Sequence, residues 1–209
     1  MPWVRAALPV LGLPAVRTLA LGFSLISTYR NGACRNFDYQ GFWSASLVAA
    51  IAMQALARQT RCAQPEEAFC LGLLARIGEL ALATLHPDEY SLVLGQIMVE
   101  RGQTLAGLER SAFAMDHNEL TAAMLADWGL PKIFSDVAYH CEERGDSAFP
   151  EGTRPWLLVQ ALAISQYVAT ICMAADHLRS TLIPRLFHLG SRLATETDTL
   201  SANCDTITQ

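Results

Sequence analysis

The side chains able to do chemistry in this 209-residue chain are few and dispersed. There are five histidines, His86, His117, His140, His177 and His188, and none is followed by aspartate. Suppose Asp116–Trp128 and Lys132–Arg144 pair as antiparallel helices about Gly129-Leu130-Pro131. His117 and His140 then fall at the same end, with Asp116 beside them. Two imidazoles without a carboxylate or further ligand would hold zinc only weakly. The plainer reading is two hydrogen-bonded histidines at helix ends. Cys141 is one residue out of phase with His140 and is expected to point elsewhere. Arg76 stands out because it lies within an apolar stretch, where a buried guanidinium needs a carboxylate or carbonyl partner. Asp116 or a nearby acceptor would serve; otherwise the stem is buried and the head reaches solvent. No Gly-rich phosphate loop, G-x-S-x-G or His-Glu-x-x-His is present.

The elements that must position these groups read as helices. A helix is expected from near Pro14 to about Tyr29, on the spacing of Val16, Leu19, Ala20 and Phe23. Asn31–Gln40 reads as a loop, in which Arg35, Asn36 and Asp38 could form a contact surface or an ordinary solvated connection. Phe42–Gln59 carries Trp43, Leu47, Ala50, Ile51 and Leu56 at helical intervals. Pro65-Glu66-Glu67 starts a helix expected to run unbroken to about His86, apolar nearly all round and therefore central in a bundle. Gly72 and Gly78 each cost about 1 kcal/mol against alanine there, so a close neighbouring backbone is expected to offset them. Helices follow from Pro87 towards Arg101 and over Leu105–Phe113. Asp116 with Glu119 makes a capping box, and Gly129-Leu130-Pro131 ends the helix it starts. Lys132–Arg144, Trp156–Ala175 and Arg179–Leu193 complete the set. The four tryptophans, Trp3, Trp43, Trp128 and Trp156, lie at helix ends and read as core anchors.

Composition agrees and excludes several function classes. Hydrophobic residues make up 52% and charged residues 17%, with Ala and Leu dominant, so helix is the default class. A net charge of −5 without a basic block argues against nucleic-acid binding, which needs Lys and Arg to displace counterions. The six cysteines (Cys34, Cys62, Cys70, Cys141, Cys172 and Cys204) are scattered and form no C-x-x-C, which predicts reduced thiols in a cytoplasmic protein. Leu8–Ile26 is apolar but carries Arg17 at its centre, which no signal peptide does. Trp156–Ala175 is long enough to span a bilayer. It holds Gln160, Ser165 and Gln166, however, and a buried helix accommodates these at lower cost, so no membrane span is expected.

Several ordered phrases resemble one family. Leu11-Gly12-Leu13-Pro14-Ala15-Val16-Arg17-Thr18-Leu19-Ala20-Leu21 resembles the "LG…VR-LAL" segment of HDOD domains, non-catalytic relatives of the HD phosphohydrolases. Phe42-Trp43-Ser44-Ala45-Ser46 is similar to their "W-x-x-S" helix start. Gly72-Leu73-Leu74-Ala75-Arg76-Ile77-Gly78 resembles their "G-L-L-x-x-I-G" core helix. Asp116-His117, Trp128-Gly129-Leu130-Pro131 and Tyr139-His140 are similar to their "DH…W-x-LP" hairpin and its far end. The matches cover about Leu11 to Glu143.

The resemblance implies an all-α, HD-domain-like helical bundle of about eight to ten helices over residues 1–194, best matched over 11–143, with a polar tail at 195–209. Relatives carry further helices before the "LG…VR" segment, so a truncated or divergent copy, even one lacking a stable fold, is one expectation. An HD hydrolase holds its divalent metal with histidines and an adjacent His-Asp pair. By resemblance that pair would fall at Ala75-Arg76 and an upstream ligand at Ala45. The degenerate metal-site positions are then Ala45, Ala75, Arg76, His117 and His140, with no catalytic residue, metal or cofactor. Arg76 would occupy the vacated position, and Arg76, Asp116, His117, His140 and Trp128 form the candidate pocket or interaction surface. The implied function is non-catalytic signalling through contact with a protein such as a cyclase, kinase or response regulator. Its rivals are a residual metal-dependent phosphohydrolase and a small-ligand sensor.

Overall fold

The computed structural model describes residues 22, 24, 25, 28–99, 102–142 and 149–193. The expected helix near Pro14, the "LG…VR" segment, Trp3, Cys204 and the tail at 195–209 lie outside them. Among the described residues every regular element is helical: α1 (Tyr39–Thr60), α2 (Pro65–Leu74), α3 (Ile77–Leu85), α4 (Pro87–Val99), α5 (Leu105–Phe113), α6 (His117–Asp127), α7 (Lys132–His140), α8 (Arg154–Met173) and α9 (Asp176–Arg192). The chain is therefore all-α, as its composition and periodicity predict.

Local chemistry sets most of the boundaries. The Asp38 carboxylate accepts from the Gly41 N–H at 2.9 Å and caps α1, and Asn36 Nδ2 donates to the Ser91 carbonyl at 2.7 Å. The polar loop is thus an organised connection. Pro65 opens α2 with Glu66 and Glu67 in the first turn. Asp116 and Glu119 form the expected capping box, with Glu119 N to Asp116 Oδ1 at 2.8 Å and Asp116 N to Glu119 Oε2 at 3.1 Å. Gly129, at φ 71°, takes the left-handed conformation that reverses the chain into α7. Helix α7 ends at His140 instead of continuing to Arg144.

The expected unbroken helix from Pro65 to His86 is instead two helices. The ladder breaks at Ala75-Arg76, where Arg76 adopts φ −118° and ψ 19°. Restarting a helix leaves its first N–H groups without intrahelical partners. A distant residue supplies one of these bonds: the Gly78 N–H donates to Thr121 Oγ1 of α6 at 2.9 Å. The break also divides the interior. Ala68, Leu71 and Ala75 pack in one core with α1, α7, α8 and α9, whereas Ile77, Leu80 and Leu82 pack in a second with Phe42, Trp43, Tyr90 and Leu108.

The two glycines have the close neighbours that the sequence reading required. A Cβ on Gly72 would lie 2.7 Å from Ala50 Cα, and one on Gly78 would lie 2.1 Å from the His117 carbonyl oxygen. Trp43 is buried and donates to the Tyr29 carbonyl at 3.0 Å, and Trp156 is buried in the first core. Among the described residues three helical stretches, Tyr39–Thr60, Pro65–Leu85 and Arg154–Met173, are long and apolar enough to cross a membrane. The sequence reading singled out only the last. In the bundle all three pack on one another, α1 against both α2 and α8.

Gly78 fixes how closely α3 approaches the start of α6. Gly78→Ala is expected to lower stability by about 2–3 kcal/mol, the scale of overpacking against a backbone that cannot yield. Urea denaturation would measure it, and a loss under about 0.5 kcal/mol would show that the α3–α6 contact is not tight.

Candidate functional site

The start of α6 carries His117 at its first helical position, and three carboxylates from other segments converge on it. Glu109 of α5, fully buried, accepts from the His117 backbone N–H at 2.9 Å and lies 2.5 Å from His117 Nδ1. Its other oxygen accepts from the Tyr90 hydroxyl of α4 at 2.7 Å. Across the ring, Nε2 faces Glu142 Oε2 at 3.2 Å and Glu79 Oε1 at 4.0 Å. His117 is 1% exposed, so the imidazole is enclosed by carboxylates instead of water.

Each acid has its own outer partner. Arg76 grips Glu79 through two bonds, Nε to Oε1 at 2.6 Å and Nη2 to Oε2 at 2.8 Å. Asn118 Nδ2 donates to Glu142 Oε2 at 3.5 Å. Asp116 is engaged by Arg110 Nη2 as well as by its capping box. A two-bond guanidinium–carboxylate pair is directional as well as charge-neutralising, and Arg76 thereby fixes the plane of the Glu79 carboxylate.

The electrostatics follow from this enclosure. Burial by itself disfavours the His117 cation, but the Glu109 and Glu142 carboxylates, with the charge of Glu79, outweigh it and raise the pKa to about 11. Burial would raise Glu142, yet His117 and Arg76 together hold it below its ordinary value. Burial, joined by the charges of Glu79 and Glu109, pushes the Tyr90 phenol well above its usual range, so it remains a donor to Glu109. Glu79 likewise raises Arg76, against the opposing effect of burial.

The sequence-derived site residues meet different fates. Arg76 and His117 are both in this cluster, joined through Glu79. The expected Arg76–Asp116 pair is not formed: Asp116 belongs to Arg110, and Arg76 turns to Glu79, three residues along the same chain. His140, at the end of α7, packs edge-on against Tyr139 and Phe149 at ring separations of 4.8 and 5.4 Å. The residue that reaches His117 from that end is Glu142. Cys141 is buried, its thiol pushed up to about 12 by that burial, and it donates to the Ala138 carbonyl at 3.3 Å. Ala75 is buried in the first core and Ala45 is half-buried on α1; neither has a donor atom. Trp128 is half-buried and lines an apolar cavity of about 210 Å³ with Leu25, Tyr29, Leu80 and Met124. Sequence reasoning missed Glu79, Glu109 and Glu142. For Glu79 the available signal was a carboxylate within an apolar run, where it needs a partner.

Comparison with known proteins places the fold. A model of the HDOD domain matches residues 3–143. The chain is similar in structure to the MmoQ response regulator from Methylococcus capsulatus str. Bath, at 39% identity and a TM-score of 0.75, covering 95% of this chain and 74% of that one. It is also similar to an HDOD domain protein with unknown function from Geobacter sulfurreducens, at 20% identity and a TM-score of 0.70, covering 97% and 70% of the two chains. A third structure, provisionally named a phosphohydrolase and from Shewanella amazonensis SB2B, has 22% identity and a TM-score of 0.69 over 96% and 70% of the two chains. At these last two identities the likeness concerns the fold. No curated protein matches in sequence.

Removing Glu109 would strand three donors, whereas removing the Tyr90 hydroxyl breaks one bond. Glu109→Ala is therefore expected to cost about 3–5 kcal/mol, the scale for one partner of a buried charge network. Tyr90→Phe should cost only about 1 kcal/mol. Equal losses for the two variants in urea denaturation would show that Glu109 does not organise the cluster.

Proposed function

The chain belongs to the HDOD domain family, and on that premise we propose that it is a non-catalytic signalling module acting through protein–protein contact. One observation carries the non-catalytic part. The position implied for the metal-binding His-Asp pair holds Ala75 and Arg76, and the Arg76 guanidinium is committed to Glu79 by two hydrogen bonds. Alanine offers no ligand atom, and the guanidinium places a fixed positive charge where the hydrolase chemistry needs a metal-bound water.

The signalling part rests on family membership and on the 39%-identical relative that is named a response regulator. The partner this reading implies is a response regulator, kinase or cyclase. The thiols of Cys34, Cys62 and Cys141, all buried, and of Cys172 are free, which supports a reducing, cytoplasmic setting.

Two measurements test the proposal. Crosslinked affinity purification from the native cells is expected to recover a kinase, cyclase or response regulator with the chain. Purified protein supplied with Mn²⁺ should hydrolyse bis(p-nitrophenyl) phosphate and cyclic dinucleotides no faster than His117→Ala does. Turnover that disappears in His117→Ala would overturn the non-catalytic reading, and a folded chain recovered alone would remove the support for docking.

A further inference from the structure

We propose that Glu79, His117 and Glu142 bind one divalent transition-metal cation, at a site distinct from the ligand set that the family resemblance implies. Only His117 belongs to both. One ligand atom from each of the three residues lies within 4.8 Å of the others, a span that a single ion can bridge. Acids gathered near one another would not suffice by themselves. The second observation is His117 Nε2, an atom of a 99%-buried side chain that has no hydrogen-bond partner and is aimed at both carboxylates.

The surroundings have the features of a built site. Metal-bound imidazoles generally donate their other ring N–H to a carboxylate, which sets the tautomer and the ring orientation. Glu109 stands 2.5 Å from His117 Nδ1 in that role, so a neutral ring presents the Nε2 lone pair inward. Arg76 holds Glu79 and Asn118 holds Glu142, so all three donors are steadied from outside. Arg76 is here a positioning residue and no ligand.

Charge favours the ion. Glu79, Glu109, Asp116 and Glu142 bring four negative charges and Arg76 and Arg110 two positive ones, leaving two unbalanced. A proton on His117 offsets one of these; a divalent cation offsets both and displaces that proton. Glu142, whose side chain is 36% exposed, forms the one edge of the trio that meets solvent, so an ion can enter there. One imidazole with two carboxylates suits a borderline-hard ion of the Mn²⁺ or Zn²⁺ kind.

Mn²⁺ is the probe of choice, because it avoids the cysteine thiols that would compete for zinc. Full-length protein, stripped with chelator and exchanged into buffer, would be titrated with Mn²⁺ while electron paramagnetic resonance reads the free ion. One ion per chain is expected. Glu142→Gln and Glu79→Gln should each raise Kd by at least about tenfold, and Asp136→Asn, paired with Lys132 away from the site, should leave it unchanged. In the unmutated protein, Mn²⁺ should broaden the imidazole resonances of His117 before those of the other four histidines, a readout independent of any variant's folding. Absence of stoichiometric binding, or binding indifferent to Glu142→Gln with His117 unbroadened, overturns the proposal. The outcome is separable from the signalling reading: a chain that binds no metal can still dock, and metal binding without turnover leaves both standing.

Discussion

The Glu109 carboxylate is the constraint around which the rest of the site is arranged. A fully buried carboxylate is tolerable only when donors replace the water it has lost. Here the replacements come from separate helices: the Tyr90 hydroxyl from α4, and the backbone N–H and ring Nδ1 of His117 from α6. Satisfying one charge thus fixes α4, α5 and α6 relative to one another. The His117 backbone bond adds the favourable field at the start of α6, where free N–H groups point outward. Because the same residue offers both backbone and ring to Glu109, its imidazole plane is set by the helix that carries it. Whatever His117 Nε2 does, it does in a direction fixed by Glu109.

The break at Ala75-Arg76 is the second organising feature, and it couples packing to electrostatics. An unbroken helix from Pro65 to Leu85 would present one continuous surface. The two turn residues instead direct α2 into one core and α3 into the other, and they place Arg76 where its guanidinium can fold back onto Glu79 in the first turn of α3. Glu79 is 4% exposed and would be a buried charge near Glu142 without that cation. The arginine that stands where the family resemblance implies a hydrolase ligand is thus also the group that stabilises the buried Glu79.

Much of this fold was legible in the sequence, because much of it is local. The Asp116–Glu119 box, the Gly129-Leu130-Pro131 stop and the Pro65 start depend on residues within one turn of each other, where residue type dictates the hydrogen bond. Gly72 and Gly78 were legible for a related reason: their cost in a helix interior demanded a close neighbour, although Ala50 and His117 could not be named. The site was less legible. At the helix break the Gly78 N–H donates to Thr121, 43 residues away, and an apolar run by itself gives no sign of such a partner. Arg76 was read as needing a carboxylate or carbonyl partner, with Asp116 as one choice, but Asp116 was already taken by its own cap and by Arg110, and a capped aspartate has little capacity left for a third partner. Glu142 was missed because α7 was expected to continue past it. Ending that helix at His140 turns the chain so that Glu142, and not the histidine, reaches His117.

Networks of this kind respond as units. Glu79, Glu109 and Glu142 share one imidazole, and each is held from behind by a different segment, so the energies of its members are not additive. Glu79 is tied through Arg76 to the α2–α3 break, and Glu142 through Asn118 to the start of α6. These paths run through hydrogen bonds and ion pairs, not through the apolar cores, whose packing tolerates little displacement. The polar cluster thereby ties α3, α4, α5, α6 and the segment after α7 to one another by a hold separate from the packing of the apolar cores.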